Sequence, residues 1–181
     1  MGRPVRSGPV TGPVRTARLD LVPLPAAVVA ALVEGDLDRA AALAPFPLDA
    51  STFADDAYVL GLRHAQLQAE PEQEPWLLHA MVLRGQARTV GRIGFHAPPD
   101  EQGSVEVGYT VAGPDRGRGY AVEALGGMLA WARGQGARRC VASIRPDNAA
   151  SQAVARHFPF VRVGEQIDEI DGLEEVLVLD L

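Results

Sequence analysis

The chain has 181 residues, of which 47% are hydrophobic and 22% are charged, and its formal net charge is −6. This size and composition indicate one soluble globular domain with its own core, and the acidic balance argues against general nucleic-acid binding. All 17 basic residues are arginine. The absence of lysine excludes lysine Schiff-base chemistry, lysine-anchored pyridoxal phosphate and the P-loop lysine of nucleotidases.

The N-terminal segment differs in composition from the rest of the chain. Residues 1–15 are rich in glycine, proline and arginine and have no apolar centre, so we expect a disordered tail rather than a secretory signal. Residues 16–181 are then expected to form the single domain. No apolar run is long enough to cross a bilayer, and the only cysteine, Cys140, excludes an internal disulfide and a cysteine-rich metal site. These features favour a cytoplasmic protein without a metal or membrane partner.

In chain order, the hydrophobic pattern predicts a strand, helices, three strands, a helix, a strand, a helix and two strands. This order is typical of a mixed α/β sheet rather than of successive parallel βαβ units. The predicted strands lie in 16–24, in 76–99 on either side of a turn at 84–86, in 104–111, in 138–146 and in a C-terminal hairpin, 160–181, that turns at Asp171 and Gly172. The predicted helices lie in 25–44 with a break around Gly35, in 57–71, in 119–136 and in 148–158, and residues 46–57 are loop-like.

The stretch PDRGRGYAVEA, residues 114–124, places a glycine-rich basic turn directly before a predicted helix. The first amides of a helix favour a phosphate, Gly117 and Gly119 allow close approach, and Arg116 and Arg118 add positive charge. The chain lacks GxxxxGK[ST], and no glycine follows at the spacing of the dinucleotide fingerprint, so both nucleotide motifs are excluded. Alone, this stretch is equally typical of a tight turn with solvated arginines.

The context of the turn resembles the GNAT acetyltransferases. Arg116, Gly119 and Ala121 match the family's acyl-CoA pyrophosphate motif, Q/R-x-x-G-x-G/A, between the strand VEVGYTV and a helix. Further on, DNAASQAVARHFPF (147–160) resembles the second signature of the family, and TARLDLVPL (16–24) resembles the first strand of its Rim-type N-terminal acetyltransferase branch. The resemblance covers residues 16–181. It implies a GNAT fold, in which about four helices flank a twisted, mostly antiparallel mixed sheet of about six to seven strands.

The resemblance also implies acetyl-CoA as co-substrate, without a metal. The residues implied to bind the pyrophosphate at the turn are Arg116, Gly117, Arg118, Gly119, Tyr120 and Ala121. The pantetheine arm is expected to pair with the strand edge at Val107, Gly108 and Tyr109, where that strand diverges from the strand in 138–146. Asn148 and Ser151 are expected to contact the cofactor arm or the substrate. Asn148 fits equally well as the N-cap of the following helix.

For the reaction, Glu106 is the first candidate for the base, acting directly or through water, and His96 is the second because histidine titrates near neutrality. A solvent-facing strand glutamate and a structural histidine are the alternatives. Many family members have a tyrosine where this chain has Ala155, which leaves Ser151 and Tyr109 as the nearest hydroxyls that could protonate the thiolate. Pro159 stands where the family has glycine, so the helix before it is expected to end differently.

The acceptor has the weakest signal. Residues 165–175 include six acidic residues and no basic residue, which either attract a cationic amine or simply keep a hairpin solvated. The leading hypothesis is that this chain is an N-acetyltransferase whose acceptor is a primary amine, either on a small molecule or at a protein N-terminus. We expect the protein to be bacterial, and it could form a homodimer. The alternatives are a non-catalytic acyl-CoA-binding or sensor protein on the same fold, and an α/β domain whose turn binds nothing.

Overall fold

The computed structural model describes residues 12–53 and 56–181, and these residues form one eight-stranded sheet. Neighbouring strands are antiparallel except for β5 and β6, which are parallel, and the strand order is β1-β2-β3-β4-β5-β6-β8-β7. The strands are β1 (Val14–Arg15), β2 (Leu19–Pro23), β3 (His79–Leu83), β4 (Arg88–Phe95), β5 (Ser104–Val111), β6 (Arg139–Ile144), β7 (Val161–Asp168) and β8 (Gly172–Asp180).

Six α-helices accompany the sheet in the described part of the chain. They are α1 (Ala26–Val33), α2 (Leu37–Leu43), α3 (Ala57–Ala69), α4 (Glu74–Leu77), α5 (Tyr120–Gly134) and α6 (Ala149–Ala155). The mixed α/β architecture and its element order confirm the predicted fold class, and the observed counts of strands and helices are somewhat larger than the approximate numbers expected. The break between α1 and α2 falls at Gly35, whose φ of 75° suits glycine.

Two element boundaries differ from the prediction. Trp76 and Leu77 were expected in a strand, but they lie in α4, because Pro75 fits the first turn of a helix and β3 begins only at His79. The predicted disordered tail, residues 1–15, falls largely outside the described residues. Its last residues are an exception, since Val14 and Arg15 pair with Leu21 and Asp20 of β2.

The sheet separates two apolar clusters. One lies between the sheet and α5, with α6 at its edge, and it contains Val105 and Val107 of β5. The other lies on the opposite face, under α1 and α3. Because successive side chains of a strand point to opposite faces, Glu106, between the two valines, faces the α3 side. The alternation along β5 therefore divides its side chains between two different environments.

The parallel pairing between β5 and β6 is short. It runs from Ser104 opposite Arg139 to Glu106 opposite Val141, although β5 continues to Val111 and β6 to Ile144. Beyond Glu106 the two strands diverge, which leaves an open strand edge in the middle of the sheet. This opening positions the candidate site.

The end of α6 is a tightened turn. The helix ends at Ala155, and Arg156 keeps a right-handed φ of −62°. Backbone hydrogen bonds from His157 to Val154 and from Phe158 to Ala155 then tighten the last turn before Pro159. Among the described residues, no helix is both long and apolar enough to cross a bilayer.

Candidate active site

The basic turn adopts the geometry that its glycines suggested. Gly117 and Gly119 have φ values of 74° and 77°, in the left-handed region, and Gly119 is the N-cap of α5. A Cβ on Gly117 would meet nothing within 4 Å, and one on Gly119 would lie 3.5 Å from Arg18 Nη2. The start of α5 thus presents its backbone N–H groups to open space, as a phosphate site requires.

A brace from the N-terminal part of the chain holds this turn. The Arg18 guanidinium donates to the Arg118 carbonyl (3.0 Å) and to Glu123 Oε2 (2.6 Å), and it lies 4.7 Å from the centre of the Tyr120 ring. The Thr16 hydroxyl donates to Glu123 Oε1 (2.6 Å). Burial alone would raise the pKa of Glu123, but the donors Thr16 and Arg18 lower it on balance.

The two arginines of the turn have different roles in the structure. Arg116 Nε donates to the Val111 carbonyl (3.0 Å) and so ties the turn to the end of β5. Arg118 is exposed beside the turn. Between strand and turn, Asp115 is buried and accepts two hydrogen bonds of 2.7 Å from Arg88, which lowers the pKa of Asp115. The turn is therefore built rigidly onto the sheet.

A cavity of about 830 Å³ lies between this turn and α6. Most of the residues predicted to bind the cofactor line it. They are Tyr109, Arg116, Gly117, Gly119, Tyr120, Ala121, Asn148 and Ser151. We call this space the cofactor-side cavity. Val107 and Gly108 do not line it but line a second cavity on the α3 side.

The backbone of β5 offers alternate residues to the opening. His96 N donates to the Glu106 carbonyl and Ala112 N donates to the Val90 carbonyl, so even-numbered residues of β5 bond to β4. The odd-numbered residues therefore direct their N–H and C=O groups toward the gap beside β6. Val107 and Tyr109 have the orientation that pairing with an extended pantetheine arm requires. Gly108 does not, since its backbone groups face β4.

The second cavity has a volume of about 440 Å³ and lies between α3, β5, β6 and the β7–β8 hairpin. We call it the acceptor-side cavity. It contains both predicted bases, Glu106 and His96. The residues Tyr109, Arg145, Asn148 and Ser151 line both cavities, so the two spaces meet at these side chains.

Glu106 is held in place by two partners. Its Oε1 accepts a 2.7 Å hydrogen bond from Ser143 Oγ, and its Oε2 lies 3.6 Å from His96 Nδ1. Contact with His96 is the largest cause of a lowered Glu106 pKa, burial opposes it, and Ser143 and Arg63 lower it further. Glu106 is thus an ionised carboxylate at neutral pH. Ser143 was not predicted, although a serine between the buried Ala142 and Ile144 is a signal of an outward-facing polar contact.

The His96 ring lies directly over Gly108. A Cβ on Gly108 would be 3.1 Å from His96 Nε2, which leaves no room for a larger residue there without movement of the ring. The backbone carbonyl of His96 accepts hydrogen bonds from Arg63 Nη1 (3.1 Å) and Gln66 Nε2 (2.9 Å) of α3. The sequence did not indicate these two residues, because they lie about 30 positions from His96.

Two hydroxyls meet at the junction of the cavities. Tyr109 and Ser151 line both cavities. Burial raises the pKa of Tyr109, and the nearby Ser151 only partly offsets this rise. Asn148 Oδ1 accepts from Ser151 N (3.1 Å), so Asn148 caps α6, the alternative that the sequence had left open. Ala155 is buried in the apolar cluster and leaves no hydroxyl at the family's tyrosine position.

The acidic hairpin contributes only some of its side chains to the acceptor-side cavity. Asp168, Asp171 and Glu174 line it. Asp168 accepts from the backbone N–H groups of Ile170 and Asp171 (2.8 Å each), which lowers its pKa, and Glu174 accepts from Gln166 Nε2 (3.0 Å). The hairpin thus forms an acidic wall. Glu165, Glu169 and Glu175 do not line the cavity, so both interpretations of the acidic hairpin stay predictions.

The cysteine and the two tryptophans belong to the core and its rim. Burial raises the pKa of the Cys140 thiol to about 12, as expected for a core cysteine rather than a nucleophile. Trp76 is buried, and Trp131 packs on it with ring centres 4.7 Å apart, which supports their assignment to the core and its rim. In the described part of the chain, no three His, Cys, Asp or Glu side chains are grouped to hold a metal ion.

Comparison with known proteins agrees with this geometry. Residues 18–161 match the acetyltransferase (GNAT) domain family, and the chain belongs to that family. Over 89 residues it is 30% identical to YjdG of Bacillus subtilis (strain 168), described as an uncharacterized N-acetyltransferase; the match spans 49% of this chain and about half (51%) of that relative.

Solved structures show the same fold at low sequence identity. Mycobacterium smegmatis RimJ in complex with CoA-disulfide superposes with a TM-score of 0.63 at 22% identity, over 93% of this chain and 86% of that chain. RimL, a ribosomal L7/L12 α-N-protein acetyltransferase, gives a TM-score of 0.64 at 20% identity, over 99% and 100%. The Microcin C7 self-immunity acetyltransferase MccE, in complex with acetyl-CoA and AMP, gives 0.65 at 16%, over 97% and 99%. The structural neighbours therefore include Rim-type ribosomal-protein acetyltransferases.

Proposed function

We propose that this protein is an acetyl-CoA-dependent N-acetyltransferase that transfers an acetyl group to a primary amine. The observation that carries the proposal is the junction of the two cavities at Tyr109 and Ser151. An acyl donor on one side and an amine on the other would meet there, next to Glu106 and His96. The family uses acetyl-CoA, and residues 16–181 would act as one catalytic domain.

Acetyl-CoA fits the cofactor-side cavity by its chemistry. The pyrophosphate would bind the N-terminal amides of α5 at Gly119, Tyr120 and Ala121, with Arg118 adding positive charge. Arg116 would act indirectly, because its guanidinium holds the turn against β5. The pantetheine arm would pair with the backbone of Val107 and Tyr109. When bound, acetyl-CoA supplies an activated thioester; the protein supplies its position and a route for the protons.

The charges of the acceptor-side cavity support an amine that arrives as a cation. Asp168, Asp171 and Glu174 face this space from the hairpin, and Glu106 faces it from β5. Three arginines also line it, namely Arg63, Arg92 and Arg145. Arg92 is paired with Asp56 (2.6 Å), outside the lining, and Arg145 is shared between Asp147 (3.2 Å), outside the lining, and Asp171 (3.7 Å), within it. The net charge of the side chains that line this cavity is therefore negative. A low-dielectric cleft of this kind attracts ammonium groups.

The proposed acceptor is a primary amine, either a protein N-terminus or a small molecule. RimJ and RimL share this fold, and RimL is described as acting on the α-amino group of a ribosomal protein. This supports a protein N-terminus as the acceptor, and a small primary amine is the other member of the class. In either case the reaction needs a group that removes a proton from nitrogen, supplied by Glu106 and His96. It also needs a donor for the thiolate, for which Tyr109 and Ser151 are placed.

Calorimetry followed by a turnover assay tests the proposal. We expect saturable binding of acetyl-CoA, and release of free thiol with at least one member of a panel of polyamines, amino acids, aminoglycosides and peptides with free N-termini. Mass spectrometry of the product should show one added acetyl group on an amine. Binding without turnover across the panel would favour the sensor alternative. Absence of binding would overturn both and leave only the fold.

A further inference from the structure

We propose that His96 Nε2 is the base of this reaction and that Glu106 and Ser143 act behind it as positioning residues. The inference rests on the proposed function and deepens it. It assigns different roles to two side chains that the sequence offered as competing candidates. The three side chains lie on adjacent strands, with Ser143 on β6, Glu106 on β5 and His96 just after β4.

The contacts of the imidazole determine which nitrogen is free. Nδ1 faces the Glu106 carboxylate at 3.6 Å, a distance of an ion pair rather than of a finished hydrogen bond, and catalytic contacts of this kind commonly shorten when substrate binds. A carboxylate beside Nδ1 favours the tautomer with its proton on that nitrogen. Nε2 then carries the lone pair, and it is the atom that lies over Gly108.

Glu106 is poorly placed to take the proton itself. One of its oxygens already accepts a hydrogen bond from Ser143, and the other faces His96. These same contacts lower the pKa of Glu106, with His96 as the largest cause, and a carboxylate stabilised in this way is a weak base. The geometry points to a carboxylate that orients the imidazole and stabilises it once it is protonated.

The position of the ring is set from both sides. Arg63 and Gln66 hold the His96 carbonyl, which fixes the backbone where β4 ends. Gly108 leaves the space in which the imidazole edge lies, and its backbone has no need of glycine, since its φ lies outside the positive range. The absence of a side chain at position 108 therefore serves the ring above it.

Charged groups reach His96 from three elements. The carboxylates of Glu106 in β5 and Asp168 in β7 both interact with it. The Arg63 guanidinium of α3 lies at its backbone carbonyl. The two carboxylates attract, and the arginine repels, the positive charge that the ring acquires when it takes a proton in the reaction.

In the acetyl-transfer step, the neutral amine nitrogen bonds to the acetyl carbon of the thioester, and the C–S bond breaks as the carbonyl reforms. The surplus proton on nitrogen passes to His96 Nε2, so that neutral imidazole becomes imidazolium beside Glu106. Coenzyme A leaves as the thiolate, or as the thiol when Tyr109 or Ser151 donates a proton that solvent then replaces. His96 returns its proton to solvent before the next cycle.

Nitrogen NMR of the protein with ¹⁵N-labelled histidine tests the arrangement without any acceptor. The chain has four histidines, and the His96→Asn variant assigns the His96 signals by their loss. We expect the Nδ1–H tautomer to predominate for His96 in the wild type, and its share to fall in Glu106→Gln, which lacks the carboxylate. A tautomer with the proton on Nε2, or the same share of the two tautomers in both proteins, would overturn the proposal.

Kinetics with the panel amine that gives the fastest turnover supply the second test. The kcat of His96→Asn should fall at least about 100-fold, as is typical for loss of a general base, and its pH profile should lose the rise in the range where histidine titrates. Glu106→Gln should lose less of kcat, because the imidazole is still present but no carboxylate orients it. A larger loss in Glu106→Gln than in His96→Asn, with an unchanged profile in the latter, would make Glu106 the base. A wild type that turns over no amine would instead contradict the proposed function, whatever the NMR result.

The Gly108→Ala variant probes the space beneath the ring. It should lower kcat while acetyl-CoA affinity stays within about twofold, because the new methyl displaces the imidazole and the cofactor contacts of β5 come from neighbouring residues. Gly164→Ala in β7 is the matched control, a strand glycine with nothing within 4 Å of the added Cβ. Equal kcat values for the two variants would contradict the role given to Gly108.

Discussion

The two sides of the site are built in different ways. The cofactor side is lined by two continuous stretches, one from β5 through the turn to the first residues of α5 and one in 145–157 around α6, and the pyrophosphate is expected to meet backbone groups of the first. The acceptor side consists of side chains from α3, β4, β5, β6 and the β7–β8 hairpin. A site made from local backbone leaves a compact sequence motif, whereas a site assembled from distant side chains leaves none. Each of the following experiments is designed to break or sharpen this contrast.

The largest expected effect comes from the buried ion pair under the acceptor side. Arg92 and Asp56 form two hydrogen bonds of 2.6 Å, and both residues are buried. Asp56→Ala should lower the free energy of unfolding by about 3–5 kcal/mol, because it leaves a buried guanidinium without its partner. Urea unfolding monitored by circular dichroism measures it.

The matched control for that variant is an exposed ion pair. Arg139 and Asp180 lie 3.1 Å apart with half or more of each side chain exposed, so Asp180→Ala should cost about 0–1 kcal/mol. The folded fraction of Asp56→Ala should retain its acetyl-CoA affinity if the two sides are independent. A loss of affinity in parallel with stability would show that α3 also supports the cofactor side.

Acidification tests the core that both sides share. Burial lowers the pKa of His79 from 6.5 to about 4, and its Nδ1 has no hydrogen-bond partner among the residues that the structure describes. The unfolded chain binds this proton near pH 6.5 and the folded protein only near pH 4, so stability falls as the pH decreases between these values. The loss attributable to His79 should reach about 3 kcal/mol.

A comparison with His79→Leu isolates this contribution from those of the carboxylates. Wild type and variant should differ in how much stability they lose between pH 7 and pH 4.5, with the smaller loss in the variant. Chemical denaturation at both pH values gives the numbers. The same loss in both proteins would mean that His79 does not titrate in the expected range.

The next largest expected effect, that of Gly119→Asp, is confined to the cofactor side. Gly119→Asp should weaken acetyl-CoA binding at least about 100-fold, because a carboxylate at the start of α5 repels a pyrophosphate and the left-handed backbone is strained. Gly35→Asp separates the two causes, since Gly35 has nearly the same φ, 75° against 77°, and open space around it. Calorimetry should show normal affinity for Gly35→Asp. Equal affinity in the two variants would place the pyrophosphate elsewhere.

This difference between the two sides explains which parts of the site could be predicted from the sequence. Eight of the eleven residues predicted to bind the cofactor line one cavity, whereas Val107, Gly108 and Arg118 do not. Most of the eight lie close together because a turn and the helix that follows it fix their relative positions locally. The brace through Thr16, Arg18 and Glu123 was missed, since it joins residues more than 100 positions apart and has no pattern of its own. Asn148 was ambiguous because a capping residue and a ligand look alike in sequence.

On the acceptor side, residue types were visible but their partners were not. Glu106 and His96 were predicted as candidate bases from their residue types. Which of them removes the proton depends on contacts from Ser143 and the fit over Gly108, which follow from strand register. The parallel register of β5 and β6 pairs residues that are far apart in sequence, such as Ser104 and Arg139. No local sequence pattern encodes it.

The smallest expected effect is that of Ser143→Ala, which tests whether the acceptor side can be altered without a change on the cofactor side. Ser143→Ala removes the 2.7 Å hydrogen bond to Glu106 and should lower kcat about tenfold, in line with loss of one hydrogen bond to a charged group. Acetyl-CoA affinity should be unchanged, because Ser143 lines only the acceptor-side cavity. Ser143→Thr keeps the hydroxyl and should restore most of the rate. A purely structural role for Ser143 would instead change stability while leaving the pH dependence of kcat unaltered, so the pH profile decides between the two roles.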